Sequence, residues 1–302
     1  MIANLYLSNK SFIYNQTDSI QLVSDKIQEL QSTIFKIKKN AKENRCDEDQ
    51  IFNNSDFYDI KIFKDHSIID IAYGQHTIVD RDAKKMLGFI IDRSKTCDEN
   101  DDEIQELIQC NNVGRLTGLL CLNSINIPQL PSECFIHEIR DWFCLHRTYL
   151  AHFPKDVNNF FEEIKKYFFN IIFHPRIRYS LNTLNGGLEK FSKKIIHSLS
   201  KLNDNFHSIA EGKQLSLALR EFGLIIGEEC SLENNKKNEK DLIFVFENDG
   251  ESKTICCEPH IKLLKCGIYG DNHPYSNRIY FHQGLPDFCG GKILVGHIGG
   301  HL

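Results

Sequence analysis

The chain has 302 residues, of which 41 % are hydrophobic and 25 % are charged, close to the average of soluble proteins. This composition excludes a wholly disordered chain and a coiled-coil rod, and the net charge of −5 excludes a uniformly basic nucleic-acid coat protein. The first residues form no secretory apolar core, and no apolar run of about 18 residues occurs. We therefore expect a cytoplasmic protein without membrane contact, whose cysteines are mostly reduced.

The N-terminal part of the chain shows signals for both helices and strands. Asn4–Phe12 is expected to be a short strand. Apolar residues three and four positions apart predict a helix over Thr17–Glu43. Tyr58–Phe63 and Ser67–Tyr73 are rich in β-forming residues and are expected to be strands, whereas Arg81–Arg93 is expected to be helical.

Acidic residues crowd the segment Cys97–Glu106. A solvated loop that leads into a helix is the expected structure for such a run. A site for a divalent cation is the alternative, although the spacing does not fit an EF-hand loop.

The middle of the chain is predicted to be mostly helical from Ser132 to about Glu229. The individual helices are expected at Cys134–Phe153, Val157–Phe173, Leu188–Leu202 and Lys213–Ile226. The polar stretch Ser231–Lys240 is typical of a linker, and we place a domain boundary there, between residues 235 and 236.

The C-terminal part differs in kind. Strands are expected at Leu242–Phe246, Lys253–Leu263, Asn277–His282 and Lys292–His297, with a hairpin signal at Asn248-Asp249-Gly250. The predicted fold class is therefore α+β. A mostly helical region, residues 1–235, would sense or bind a partner, and residues 236–302 would form a small antiparallel sheet.

Residues able to carry acid–base chemistry concentrate in this C-terminal part. Five of the thirteen histidines lie in residues 260–302, together with cysteines, lysines and an arginine. Cleavage of a phosphodiester by acid–base chemistry needs a base, an acid and a cation over the phosphate. All three residue types are present on strands that are expected to pack side by side.

The order of these residues resembles the RelE superfamily, in particular the YoeB type of bacterial ribonuclease toxin. The resemblance lies in the segments Glu258–Leu263, Asn277–Phe281, Lys292–Val295 and Gly300–Leu302. That subgroup carries a Glu-Pro-x-Lys segment, an Arg in an Arg-Leu-Val-Tyr strand and a penultimate His. The toxins have a strand and helices immediately before the Glu motif, whereas a strand at Leu242–Phe246 is expected here.

The resemblance implies roles for individual residues. Glu258 would take the proton of the ribose 2′-hydroxyl, Arg278 would stabilise the charge on the phosphorus, and His301 would protonate the leaving 5′ oxygen. Lys262 and Lys265 would hold the RNA backbone. We add His297 as a further catalytic candidate, and no metal or other cofactor would be required.

Two alternatives concern the same residues. In the first, Arg278 and Tyr280 are ordinary strand residues and His301 caps a sheet edge. In the second, a tetrahedral zinc site forms from two pairs of residues with ligand spacing. These pairs are Cys257 with His260, and His297 with His301.

The segment Lys155–Asp204 is locally basic, with nine cations against five acids and several interleaved aromatic residues. Such a pattern can grip single-stranded nucleic acid. The candidate nucleic-acid-binding residues are Arg176, Arg178, Lys193 and Lys194. Alternatively, the aromatic residues belong to a core and the lysines are merely solvated. Arg147 and His152 also match the Arg-x4-His spacing of the HEPN ribonucleases.

These observations favour a bacterial toxin or phage-defence effector that cleaves RNA as a metal-independent endoribonuclease. RNA or another nucleic acid is the expected partner, together with a protein partner in a defence or toxin complex. The alternative function is a non-catalytic subunit of a bacterial defence complex that binds nucleic acid or protein.

Overall fold

The structure is a computed structural model that describes residues 1–44, 47–75, 78–111, 114–233, 240–248 and 250–302. The chain divides into two compact units, Met1–His146 and Arg147–Leu302. The predicted boundary between residues 235 and 236 and the hairpin residue Asp249 lie outside the described residues.

The first unit alternates strands and helices. Its strands are β1 (Ala3–Leu7), β2 (Gln50–Asn54), β3 (Lys61–Phe63), β4 (His66–Ser67), β5 (Lys95–Cys97), β6 (Leu116–Leu120) and β7 (Phe135–Ile136). Its helices are α1 (Asn9–Phe12), α2 (Ile20–Glu43), α3 (Ile68–Tyr73), α4 (Arg81–Asp92) and α5 (Asp101–Gln109), and α6 (Ile139–His152) contains the division between the units.

Five of these strands form a parallel sheet in the order β5-β2-β1-β6-β7. The central strand β1 pairs with β6 over its whole length, from Ala3 with Leu116 to Leu7 with Leu120. Every residue of β6 is buried, as expected for a parallel strand covered on both faces. Strand order and direction define a doubly wound α/β architecture.

A buried charge fixes the N-terminal end of β1 in this unit. Asp49 accepts hydrogen bonds from the backbone N–H of Ala3 (2.7 Å) and the indole N–H of Trp142 (2.7 Å), and Nε2 of His146 lies 3.0 Å from it. Burial opposes ionisation, but His146 and these hydrogen bonds outweigh it, so the pKa of Asp49 is below its usual value.

The second unit combines helices with a mixed sheet. Its helices are α7 (Val157–Tyr167), α8 (Ile177–Ser180), α9 (Gly187–Ala210) and α10 (Leu215–Ile226). Its strands are β8 (Ile171–Phe173), β9 (Glu229–Ser231), β10 (Ile243–Asn248), β11 (Glu251–Cys256), β12 (His260–Leu263), β13 (Asn277–His282) and β14 (Ile293–Gly300).

The mixed sheet has the order β8-β14-β13-β12-β9. Strand β8 runs parallel to β14, and the other neighbours are antiparallel. Strands β10 and β11 form a separate two-stranded hairpin between β9 and β12 in the chain. The residues on either side of the predicted domain boundary thus contribute to one sheet, since β9 pairs with β12.

The two faces of the mixed sheet differ in chemistry because side chains alternate along a strand. One face carries Ile261, Ile279 and Ile298, each fully buried. On this face Phe281 makes an edge-on contact with Phe206 of α9, at a centroid distance of 5.2 Å. The opposite face carries the polar residues described in the next section.

The predicted fold class, α+β with only a small C-terminal antiparallel sheet, is wrong. The protein is α/β, with 47 % helix and 22 % strand, and it contains a parallel sheet as well as a mixed one. Part of the error lies in Ser67–Tyr73, which forms a helix because Ser67 and Asp70 make a capping box. Val157–Phe173 divides into a helix and strand β8.

Other predicted elements are confirmed. Helices α2 and α4 occupy nearly the predicted ranges, and β13 occupies Asn277–His282 as predicted. The acidic run leads into α5, which begins with a capping box of Asn100 and Glu103. Within the described ranges, none of the helices combines the length and apolar character needed to cross a bilayer.

Candidate active site

A row of polar side chains crosses the mixed sheet from strand to strand. Ser231, His260, Tyr280 and His297 are direct register partners on β9, β12, β13 and β14. Partners in register project from the same face, so the four side chains form one row. The ring centroids of His260 and Tyr280 are 5.0 Å apart, and those of Tyr280 and His297 are 5.8 Å apart. We call these four residues the polar row.

Both histidines of the polar row are neutral. Burial lowers the pKa of His297 to about 4, and the nearby Arg176 and His301 act in the same direction. Burial also lowers the pKa of His260 to about 4. Between them, burial and the charge of Glu233 raise the pKa of Tyr280 to about 12, so its hydroxyl keeps its proton.

The hydrogen bonds of His297 leave one ring nitrogen open. Its Nε2–H donates to the carbonyl of Gly300 at 2.8 Å, which fixes the ring. Its Nδ1 is buried and has no hydrogen-bond partner among the described residues. In this tautomer Nδ1 carries a lone pair and can act as a hydrogen-bond acceptor.

The chain turns back over the polar row after β14. The ring of His301 lies 6.5 Å from the ring of Tyr280, and its Nε2 lies 3.7 Å from a carboxylate oxygen of Glu233. The hydroxyl of Tyr280 lies 3.4 Å from the same carboxylate oxygen and also receives a backbone hydrogen bond from Leu302. Glu233 therefore connects His301 to the hydroxyl of Tyr280.

His297 and His301 line a cavity of about 510 Å³ beside the end of β14. The other lining residues are Arg176, Tyr179, Ser180, Thr183, Asn185, Ser276, Gly300 and Leu302. None of the described residues that line it is acidic. A cavity with an arginine, two histidines and several hydroxyl and amide groups suits an anion such as a phosphate.

Hydrogen bonds between residues 180–183 and β14 hold the wall of the cavity. The hydroxyl of Ser180 donates to the carbonyl of Ile298 at 2.9 Å, and Gly300 N–H donates to the hydroxyl of Thr183 at 2.9 Å. At Gly299 the two segments approach so closely that a β-carbon would lie 2.5 Å from Oγ1 of Thr183. The wall therefore depends on the absence of a side chain at Gly299.

The structure brings some predicted catalytic residues together and not others. His297 and His301 line the cavity. Arg278 lies on the same face as the polar row, paired with Lys262 across the strands, and its Nη1 donates to the carbonyl of Asn277 at 3.0 Å. Its Nε is buried and has no partner among the described residues.

Glu258 lies apart from the cavity. It precedes β12, and its backbone carbonyl accepts a hydrogen bond from Nδ1 of His260 at 3.3 Å. Its position is four residues from Lys262, the cross-strand partner of Arg278, which is roughly 13 Å of extended chain. Glu258 is also not among the residues that line the cavity.

The six predicted nucleic-acid-binding cations divide into two groups. Arg178 is paired with Glu162, Lys194 with Glu228, and Lys262 with Glu229. The other three are exposed and have no acidic partner among the described residues: Arg176, Lys193 and Lys265. Of these, Arg176 lines the cavity.

Several residues of the site were missed in the sequence. Glu233 belongs to a stretch that was interpreted as a linker, and its proximity to His301 depends on the pairing of β9 with β12. Asn185 and Ser276 are far apart in the chain but form a 2.9 Å hydrogen bond at the cavity. Tyr179 was recognised only as one aromatic residue within a basic segment.

The geometry supports neither the zinc site nor the Arg-x4-His ribonuclease site. No group of three or more His, Cys, Asp or Glu side chains able to hold a metal ion occurs in the part of the chain that the structure describes. Arg147, of the Arg-x4-His pair, is buried, donates from Nε to the carbonyl of Tyr167 (2.8 Å) and forms an ion pair with Asp204.

Comparison with known proteins gives no relative. No family model matches the chain, and no curated protein and no solved structure matches it.

Proposed function

We propose that the chain is a metal-independent endoribonuclease that acts as a bacterial toxin or phage-defence effector. The observation that carries this proposal is the cavity beside β14, where His297, His301 and Arg176 meet without an acidic lining residue. The carboxylate of Glu233 lies 3.7 Å from Nε2 of His301. A proton acceptor, a proton donor and a cation are the three groups that cleavage of RNA by its own 2′-hydroxyl requires.

In this proposal the 2′-oxygen attacks the neighbouring phosphorus. The ring of His297 turns so that Nδ1, which is buried in the structure, faces the cavity and accepts the 2′-hydroxyl proton, and a new bond forms between O2′ and phosphorus. The bond between phosphorus and O5′ breaks, and His301 donates a proton to the leaving O5′. The products are a 2′,3′-cyclic phosphate and a free 5′-hydroxyl, so neither water nor a metal ion enters the step. Arg176 stabilises the negative charge on the phosphate oxygens.

The order of elements supports the resemblance to RelE-type toxins. Two long helices, α9 and α10, and strand β9 precede β12, and the β10–β11 hairpin is an insertion that joins no strand of the mixed sheet. The helices and strand that the family places before its Glu motif therefore have counterparts here. Arg278 and Lys262, which the resemblance assigns to RNA, are adjacent on the polar face.

The proposal predicts cleavage of RNA by the purified chain in the presence of a chelator. We expect His301→Gln to lower kcat/KM by roughly 10²- to 10⁴-fold, because it removes the general acid. The matched control is His273→Gln, which changes an exposed histidine outside the cavity. The measurement is gel analysis of labelled RNA, with chemical identification of the 2′,3′-cyclic ends. Equal activity of wild type and His301→Gln would contradict the proposal.

A second pair of variants decides which group accepts the 2′-hydroxyl proton. His297→Gln tests the acceptor named here, and Glu258→Gln tests the acceptor that the resemblance implies. We expect the larger loss in kcat in His297→Gln. A large loss in Glu258→Gln with full activity in His297→Gln would transfer this role to Glu258.

The exposed cations favour one alternative function, a subunit that binds nucleic acid without cleaving it. Arg176, Lys193 and Lys265 would supply the phosphate contacts in that case. Salt-sensitive binding of RNA with no cleavage under any of the conditions above would support this alternative.

A further inference from the structure

The outer part of the cavity contains groups that the proposed cleavage step does not use. Tyr179 has 71 % of its surface exposed, although tyrosine rings usually pack against other residues. It lines the cavity together with Asn185 and Ser276. We propose that this outer part binds one unpaired nucleobase of the RNA next to the cleaved bond, with a preference for adenine. This inference rests on the proposed ribonuclease function.

The size of the cavity fits this ligand. Its volume of about 510 Å³ lies within the range of small-molecule sites, roughly 300–1,000 Å³. His297 and His301 line the same cavity as Tyr179, so a base bound beside Tyr179 would adjoin the phosphate. An exposed aromatic ring next to phosphate-binding groups is the usual platform for an unstacked base.

The hydrogen-bonding groups are held in fixed positions. The backbone of Asn185 makes two hydrogen bonds with the fully buried side chain of Asn277, from Asn185 N–H to Oδ1 (2.8 Å) and from Nδ2 to the Asn185 carbonyl (3.0 Å). The side chain of Asn185 donates from Nδ2 to the hydroxyl of Ser276 at 2.9 Å. This arrangement orients the amide of Asn185 before any ligand binds.

The chemistry of the amide points to adenine. An asparagine side chain presents one acceptor and one donor side by side, and adenine offers the complementary pair at N6 and N7. Oδ1 of Asn185 is not used in the hydrogen bonds above, and the hydroxyl of Ser276 retains its own proton for donation. The selection requires the base to present its Hoogsteen edge to Asn185: there guanine offers two acceptors, O6 and N7, and the pyrimidines have no N7, so adenine alone offers this pair.

The test is sequencing of the ends produced from a randomised single-stranded RNA. We expect adenine to be enriched several-fold at one position next to the cut, and Asn185→Ala to reduce this enrichment to near-even base usage. Tyr179→Ala is expected to lower kcat/KM by roughly 5- to 150-fold, the range of a lost stacking contact, and Tyr179→Phe to lower it less, because the ring remains. Tyr269→Ala is the matched control, since Tyr269 is fully exposed and does not line the cavity.

The outcomes separate this inference from the function on which it rests. Cleavage by the wild type without base preference, or with a preference that Asn185→Ala leaves unchanged, would overturn the inference alone. No cleavage by the wild type would overturn the proposed function. In that case filter binding of short oligoadenylate and oligouridylate tests the site: tighter binding of oligoadenylate that Asn185→Ala abolishes supports it, and equal binding overturns it.

Discussion

At Gly299 the candidate active site depends on the absence of a side chain. A β-carbon there would contact the carbonyl of Ser180 and lie 2.5 Å from Oγ1 of Thr183 and 3.0 Å from Nε2 of His297. One methyl group would therefore disturb both the wall of the cavity and the histidine that we propose as the proton acceptor. Residues 180–183 pack closely against β14, so the structure has little room to adjust to an added methyl group.

We predict that Gly299→Ala destabilises the second unit by about 1–3 kcal/mol, because it overpacks this contact. It should also lower ribonuclease activity. Thermal unfolding together with the RNA assay measures both effects. Gly88→Ala is the control, because Gly88 lies in α4, where an added β-carbon meets no atom within 4 Å. A Gly299→Ala protein with unchanged stability would show that α8 can move away from β14.

At the scale of elements, β13 connects the residues of the polar row across the mixed sheet. It lies in the centre of the mixed sheet, between β12 and β14, and brings Arg278 and Tyr280 to the polar face. Its neighbours contribute His260 and His297, both of which are buried. Folding therefore places two neutral histidines on either side of one strand, and this has a consequence for the dependence of stability on pH.

We predict that β13 loses protection from hydrogen exchange as the pH falls from 7.5 to 5.0. Burial lowers the pKa of His260 and of His297 to about 4, so the folded state resists protonation that the unfolded state accepts near pH 6.5. The unfolded state then binds more protons, and the free energy of unfolding falls by about 2 kcal/mol per ring over this interval.

Peptides from β13 and β14 report this effect, after correction for the intrinsic pH dependence of exchange. Peptides from α4, which contains no histidine, are the internal control. His260→Gln should remove part of the change, because burial also lowers the pKa of His174 and of His282 in the same unit. Equal protection of β13 at both pH values would show that the two rings titrate normally in the folded state.

Local sequence patterns correctly predict those elements whose own residues give a strong signal, such as one apolar helix face, a run of β-forming residues or an N-terminal cap. Helix α2 follows its three- and four-residue spacing, and β13 follows its enrichment in β-forming residues. Local patterns fail where contacts with the rest of the fold decide the secondary structure. The isoleucines of Ser67–Tyr73 suggest a strand, but the Ser67–Asp70 capping box starts a helix. Strand β6 is buried on both faces, so it shows no alternation to detect.

Only part of the candidate site could be predicted, because its residues come together through tertiary contacts. Clustering of histidines in the sequence indicated His297 and His301, which share a cavity. No local signal joins Glu233 to His301, because their proximity depends on the register of β9 with β12 and of β13 with β14. The base-binding residues come from segments about 90 positions apart, linked by the Asn185–Ser276 hydrogen bond.

At the scale of the whole molecule, the distribution of charge limits how RNA can bind. The net charge is −5, and three of the six candidate cations are engaged in ion pairs. Only Arg176, Lys193 and Lys265 among these six have no acidic partner in the described ranges. These six cations therefore supply three phosphate contacts without an acidic partner, and in the proposed function recognition of RNA would depend on the cavity as well as on these charges.

We predict a shallow salt dependence of RNA binding. With three phosphate contacts, the logarithm of the binding constant should fall with the logarithm of salt concentration with a slope of about −2. The double variant Lys193→Glu, Lys265→Glu should weaken binding and flatten the slope, and Lys10→Glu, an exposed lysine of the first unit, serves as the control. Filter binding over a salt series measures both, and a slope steeper than about −5 would reveal a larger basic surface.

The indole of Trp142 has a use beyond its hydrogen bond to Asp49. It is the only tryptophan of the chain and lies in Met1–His146. Its emission is therefore an intrinsic optical probe of the first unit, and it is sensitive to the ionisation of the carboxylate at 2.7 Å. Unfolding of Arg147–Leu302 adds no tryptophan signal of its own. Fluorescence and far-UV circular dichroism recorded on the same sample would thus distinguish melting of the parallel sheet from melting of the whole chain.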